Sequence, residues 1–485
     1  MAGEVVASRA TPQLFGHPRG LTYLFGTEMW ERFSYYGNRV LLPIFLTGYL
    51  LQPGHAEHVI GYNQIKSFLE IFFGPLGIQP LQSAIYGVYT ALVYFTPLIG
   101  GYLADRWFGR RYTVVVGGLL MACGQFLMTV DAFFYIALGF MIVGNGAFKP
   151  NISTQVGGLY EPGDHRIDRA YSIFYVGINV GSLLGQTICG FLGEKIAWHY
   201  GFAAAGVGML IGTIIYLFAM RSLPRETVAM KTDGAAPSPS RKPFTRDDWI
   251  AMTILILLFI PGCLFWATYE QSGNTIEIWT RDYVNRFVDL GFTSFTIPVT
   301  TLQNTNPFFI FTMTPLVLMF WSRQQKKGRE PSAVTKMAIG CALISISYLF
   351  LAAVQNLNGG HVSWIFAIAY FWILTIGELY FSPVGLSLYA KAAPPQIAGF
   401  MMAVFLATSS PGNLLGGILG TYWTGMDKVR FFLMIAIIIG AAAPVIFAFR
   451  RPIENILRKR REMEVAEGRG RDSALEQPHM EPPPG

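Results

Sequence analysis

Apolar windows long enough to cross a bilayer, which takes roughly 20 residues in a helix, recur twelve times along this chain. They lie near 21–50, 81–104, 112–130, 133–158, 169–193 and 200–220, and again near 249–280, 306–322, 333–355, 362–390, 396–424 and 429–449. A stretch rich in Pro and Ser, Ser222–Thr245, separates them six and six, as an interdomain linker does. The pattern predicts an all-α membrane protein built as two six-helix bundles. In outline, segment 1–20 precedes bundle 21–220, linker 221–248 leads to bundle 249–450, and a charged tail 451–485 is expected to be disordered.

The first window breaks the pattern. Glu28, Glu31, Arg32 and Arg39 lie inside it, and positions 28, 31, 32, 35 and 39 share one helix face. Met29, Phe33 and Val40 lie on the opposite face, toward lipid or neighbouring helices. A charge at the bilayer centre costs roughly 2.5–3.5 kcal/mol on insertion scales, so these groups must pair and face a wet cavity. The reading is a pathway for a charged solute or a proton.

Composition agrees: 52% of residues are hydrophobic and 13% charged, and the mean hydropathy is +0.40. Basic residues cluster in alternate connections: Arg106, Arg110 and Arg111; Arg166 and Arg169; Arg221 to Arg246; Arg323 to Arg329; and the tail from Arg450. The positive-inside rule makes these connections and both termini cytoplasmic, as for a multi-pass protein of the cytoplasmic (inner) membrane. The pI of 9.1 then reports topology, and nucleic acid is not an expected partner. Cys123, Cys189, Cys263 and Cys341 all fall in apolar windows, as small core residues would. No His-x-x-x-His set, Gly-x-Ser-x-Gly or nucleotide loop is present, so neither an enzyme nor a metal or cofactor site is expected.

Gly100-Gly101-Tyr102-Leu103-Ala104-Asp105-Arg106-Trp107-Phe108-Gly109-Arg110-Arg111 resembles the cytoplasmic loop signature of the major facilitator superfamily, with one extra residue before the second Gly. Its glycines allow close helix approach and a tight turn, and Asp105 can pair with an arginine. A narrower resemblance is to the proton-dependent oligopeptide transporter family, also called the peptide transporter family. Glu28, Glu31, Arg32, Phe33, Tyr35, Tyr36 and Gly37 match its Glu-x-x-Glu-Arg-Phe-x-Tyr-Tyr-Gly. Phe174-Tyr175-Val176-Gly177-Ile178-Asn179-Val180-Gly181 is similar to its fifth-helix motif, and Gly377-Glu378 through Ser382-Pro383 to Leu386 matches its tenth-helix motif. Lys149-Pro150-Asn151, Phe265-Trp266 with Glu270-Gln271, and Gln303 with Asn306-Pro307 add support. The resemblance implies the major facilitator superfamily fold, with twelve helices in two bundles rocking about a midplane site.

Several of these residues also read directly. Asn145 lies four residues from Lys149 and extends a polar strip inward. Tyr175, Asn179, Ser182 and Gln186 share a helix face without net charge, and Glu378 lies one turn from Ser382 with nothing local to neutralise it. Counting Glu28, Glu31, Glu270 and Glu378 against Arg32, Arg39 and Lys149 leaves one acid over. A proton would fill that vacancy, and a zwitterionic peptide would add nothing to the sum.

The resemblance implies a proton-coupled symporter of di- and tripeptides, working as a monomer in the bilayer with protons as coupling ion and no cofactor. It places the peptide carboxylate on Arg32, Lys149, Tyr36 and Tyr94, and the amine on Asn179, Asn306 and Glu378, with Ser382 beside it. Side-chain pockets fall to Tyr35, Trp266 and Phe405, and proton coupling to Glu28, Glu31, Arg32 and Glu270. Arg39–Glu270 and Lys149–Glu378 become the gating pairs. The chain departs from the family at Gly87, where mammalian members carry a functional histidine, and at Val404-Phe405, where many members have Trp-Phe. The alternatives are a transporter of another small solute, such as nitrate or an amine or carboxylate metabolite, and a non-transporting membrane sensor.

Overall fold

In hydrocarbon, backbone polar groups must pair within their own segment, so each apolar window is expected to close on itself as a helix. The computed structural model describes residues 13–14, 16–160, 164, 166–223, 244–358, 361–460 and 462, and each window holds a helix. Helices 1 to 6 are Arg19–Phe45, Ile78–Leu103, Arg110–Leu127, Phe134–Gly157, Ile167–Lys195 and Trp198–Ala219. Helix 7 runs Arg246–Tyr283 and is broken, with a 3-10 turn at Glu270–Gly273. Helices 8 to 12 are Thr305–Lys326, Ala333–Leu357, Trp364–Ala392, Ala398–Thr421 and Lys428–Ala448. Among the described residues, nine helices are long and apolar enough to cross a membrane; helices 1, 3 and 8 fall short, helix 1 because of its charges. These three pack among the other nine.

Two hydrophobic cores form. One gathers residues from Leu21 to Leu223 together with Val299, the other residues from Met252 to Ile453. Helix 1 packs on helices 5 and 6, and helix 4 on helices 2 and 3; in the second bundle helix 9 packs on helices 10 and 12. Across the bundles, helix 11 packs along helix 2. Glycine makes that approach possible: a Cβ on Gly87 would lie 2.5 Å from the Gly417 Cα, and one on Gly417 2.7 Å from the Gly87 Cα. Gly87 therefore fills the place of the family's histidine with a bare backbone contact.

The superfamily-like loop turns at Gly109, whose φ of 74° suits glycine. Arg110 Nε donates to Asp105 Oδ1 at 2.8 Å, the expected acid–arginine pair, and Arg111 donates to the Leu223 carbonyl.

Of the two surroundings open to the opposite face of helix 1, Phe33 and Val40 take neighbouring helices. Several expectations need correction. An unanticipated helix, Tyr62–Phe73, lies between helices 1 and 2 and exposes Phe68, Ile71 and Phe72. Of the three short sheets, Val284–Asn285 pairs in parallel with Val362–Ser363, tying the end of helix 7 to the start of helix 10. Cys123 is exposed, whereas the other three cysteines are buried.

The tail is not disordered from 451: residues 450–460 are helical. Ile453 and Ile456 face the second bundle, and Lys459 and Arg460 reach Asp247 and Asp248 at 2.7 and 2.8 Å. Apolar residues at 453, 456 and 457 have helical spacing, which the surrounding charges obscure. Most of the expected leading segment 1–20, residues 224–243 of the linker, and 461 and 463–485 of the tail lie outside the described residues.

Candidate functional site

A cavity of about 180 Å³ lies between the bundles. Tyr36, Arg39, Tyr94, Asn179, Ser182 and Gln186 line it from the first bundle, and Trp266, Tyr269, Glu270, Glu277, Gln303, Asn306 and Glu378 from the second. Asn179, Ser182 and Gln186 of the shared helix-5 face thus point inward, with Gln186 Nε2 donating to Ser182 Oγ at 2.9 Å, while Tyr175 of that face is outside the lining.

One end of the cavity is closed. It is the far end, opposite the starts of helices 1 and 7 and the end of helix 12. Arg39 pairs there with Glu270, and Arg39 Nε donates to the Tyr86 hydroxyl at 2.8 Å. Beyond them Asn274 Oδ1 accepts from Gln82 and Ser83, both at 3.0 Å, and Arg281 donates to the Thr47 hydroxyl at 2.7 Å. Gln79 donates to the Gly420 carbonyl at 3.1 Å. Glu194 on helix 5 accepts the backbone N–H groups of Val299 and Thr300 at 2.9 and 2.8 Å. Past the span, burial draws the nearby Arg286 guanidinium below its ordinary value, against the pull of Glu194 and Asp282.

Near the base of the cavity, Arg32 sits between two acids, 3.1 Å from Glu28 Oε1 and paired with Glu31. All three are buried, so the like charges of the two acids are met by one fixed guanidinium. Lys149 Nζ lies 4.9 Å from the centre of the Tyr94 ring, a cation–π contact at the wall. Across the cavity, Glu378 Oε2 accepts from the Tyr269 hydroxyl at 2.8 Å and from Asn306 Nδ2 at 3.1 Å, and Asn306 also donates to Thr375 at 3.0 Å. Glu378 on one bundle therefore lies across the cavity from a first-bundle cluster in which Arg32 and Lys149 stand beside Glu28 and Glu31.

Not every expected residue reaches the cavity. The Arg39–Glu270 pair is present, but Lys149 and Glu378 are not paired: one rests on Tyr94, the other is held by Tyr269 and Asn306. This fits a pair that forms when the opposite end closes. Glu28, Glu31, Arg32 and Lys149 stand behind the lining, and Ser382, one turn from Glu378, is outside it. Tyr35 is buried against Tyr36 and under Arg32, and Phe405 against Phe381 and Tyr389, so neither forms a side-chain pocket; Trp266 does line the cavity. Asn145 is committed to the Val93 carbonyl at 2.9 Å rather than to the cavity.

Sequence reasoning missed Tyr86, Tyr269, Glu194 and Glu277. The tyrosines carry no charge and have no signal outside a fold. Glu277 has one: it is an acid inside the apolar window 249–280, seven residues after Glu270.

Comparison with known proteins gives a consistent picture. A family model described as the POT family matches residues 111–232 and 241–439. A peptide transporter of Yersinia enterocolitica, YePEPT, is 30% identical over 474 residues, covering 84% of this chain and 88% of its own. A di-/tripeptide transporter of Lactococcus lactis is 29% identical, covering 91% and 97%. Among solved structures, the peptide transporter POT in complex with sulfate aligns with TM-score 0.74 at 26% identity, covering 92% of this chain and 97% of that one. A POT family transporter in complex with a thioalcohol-conjugated peptide aligns with TM-score 0.73 at 28% identity, covering 91% and 98%.

Proposed function

This chain belongs to the POT family, and from that premise we propose that it is a proton-coupled symporter that imports di- and tripeptides by alternating access. It is a multi-pass membrane protein with the major facilitator superfamily fold. In this reading the far end of the cavity is the outer side and the near end, with both termini, is cytoplasmic, as the basic connections require. The membrane is the cytoplasmic one, the protein acts as a monomer, and protons drive it without a cofactor.

The observation that carries the reading is Glu378, held at the cavity wall by Tyr269 and Asn306 with no cation of its own among the described residues. A peptide amine adds the cation that Glu378 lacks. Asn179 and Asn306 offer neutral partners at the same pole. The peptide carboxylate is drawn to the opposite wall, where Tyr36 and Tyr94 stand in front of Arg32 and Lys149. A simple anion would satisfy only the basic wall and leave Glu378 unanswered.

Coupling follows from the buried acids. Protonation of Glu270 removes its attraction for Arg39 and frees that end to open, and Glu28 and Glu31 share a guanidinium that a proton on either acid partly releases. The reading assigns solute movement and no covalent chemistry.

The test is uptake of labelled dialanine into proteoliposomes under an inward proton gradient, competed by tripeptides and end-capped analogues. Accumulation that an uncoupler abolishes, and that only free-ended peptides compete for, is expected. Counterflow without any response to pH would leave transport and remove symport.

A further inference from the structure

Helix 7 carries a second acid that the Arg39–Glu270 pair does not use. Glu277 is fully buried and lines the cavity, yet neither of its carboxylate oxygens accepts a hydrogen bond from any described residue. Its charged surroundings are mixed. Arg39 and Tyr86 face it from helices 1 and 2 and Glu194 from helix 5, while Arg281 lies one turn further along its own helix. Glu270 lines the same cavity from seven residues earlier on helix 7.

Neither cation is at its disposal. Arg39 is committed to Glu270 and the Tyr86 hydroxyl, and Arg281 to Asp282 and the Thr47 hydroxyl. Glu194 is equipped in the opposite way, with two backbone N–H groups on its carboxylate. Two acids therefore share a neighbourhood, one with two backbone donors on its carboxylate, the other with none. A buried carboxylate without donors is costly, and a carboxyl that keeps its proton avoids most of that cost.

We propose that Glu277 is a proton-binding site separate from the Arg39–Glu270 pair. It takes up a proton from the far side while that end is open, and closure of the seam between helices 1 and 7 buries the neutral carboxyl. The step is an acid–base equilibrium: one proton adds to one carboxylate oxygen and no other bond changes. The proton leaves through the cavity, which Glu277 lines, once the near end is open. Adding Glu277 to the buried charges leaves two acids over instead of one, so the inference raises the number of coupled protons by one.

The inference rests on the proton-coupled peptide reading, and its test separates the two. Reversal potentials of labelled dialanine flux in proteoliposomes give the proton-to-peptide ratio for the wild type, E277Q and E277D, alongside counterflow and the melting temperature of each. E277Q keeps the shape of the neutral acid, so it is expected to melt near the wild type and to exchange peptide above the empty-liposome background. Its proton-to-peptide ratio is expected to fall by one and its uptake to respond less to pH, while E277D restores the wild-type ratio. A ratio and pH profile in E277Q equal to the wild type overturns the inference. So does a loss of counterflow that E277D shares, which marks a packing role. A wild type that does not accumulate peptide on a proton gradient removes the underlying reading and the inference with it.

Discussion

Arg39 of helix 1 and Glu270 of helix 7 form an ion pair that joins the two bundles across the far side of the cavity, with Tyr86 holding the arginine in place. Removing one partner of a buried pair costs roughly 3–5 kcal/mol, because the other charge is left unpaired. R39A is therefore expected to shift the protein toward the far-open state and to cut uphill dialanine uptake at least tenfold. Alkylation of S83C on a C123S background reports it, since Ser83 is buried in the far seam of this structure. Labelling no faster in R39A than in the parent would count against a gate at this pair.

Glu378 offers a second test. A hydrogen bond to a charged group contributes roughly 1.5–3 kcal/mol, which corresponds to about one to two orders of magnitude in affinity. E378Q should weaken binding of free-amine dipeptides by that factor and leave the already poor binding of N-acetylated peptides little changed. Competition against labelled dialanine measures both. Equal losses for the two classes would place the amine elsewhere.

The bare contact between helices 2 and 11 predicts a steric phenotype. A methyl group at Gly87 would overlap the Gly417 backbone, so G87A should hold the bundles apart at the far end. Faster labelling of S83C and at least tenfold lower uptake are expected. The melting temperature should change little, because each bundle keeps its own core. Wild-type uptake in G87A would mean that the two helices never meet so closely in the working cycle.

The tail helix is tethered by Lys459 to Asp247 and by Arg460 to Asp248, and Asp248 also completes a capping box with Thr245. Losing a cap costs about 1 kcal/mol. D248A should accelerate tryptic cleavage near Arg458 and Lys459, read by mass spectrometry, without altering dialanine uptake. Cleavage at the parent rate would show that Ile453, Ile456 and the Lys459–Asp247 pair hold the helix without Asp248.

Much of the architecture was legible before any coordinates. Hydrophobic windows gave twelve helices because lipid leaves the backbone no alternative, and the charges of helix 1 could only face inward. The Arg39–Glu270 pair followed from the family resemblance, and the shared face of Asn179, Ser182 and Gln186 from their spacing. What stayed hidden depends on contacts between distant segments. Nothing local marks Tyr269 as the partner of Glu378, and Asn145 was misread because its acceptor, the Val93 carbonyl, lies on another helix. Tyr35 and Phe405 failed as pocket residues for the reason that makes aromatics hard to assign: a ring packs as readily as it binds. The helix Tyr62–Phe73 is too short for a window matched to membrane thickness.

Glu194 clasps the second bundle by main-chain N–H groups alone. Every amino acid except proline presents such a group, so positions 299 and 300 can change to any other residue that fits while the clasp persists, whereas loss of the carboxylate at 194 undoes it. Evolutionary drift on helix 5 and on the approach to helix 8 should therefore be lopsided: one side of this joint held fixed, the other restrained merely by the room its side chains need.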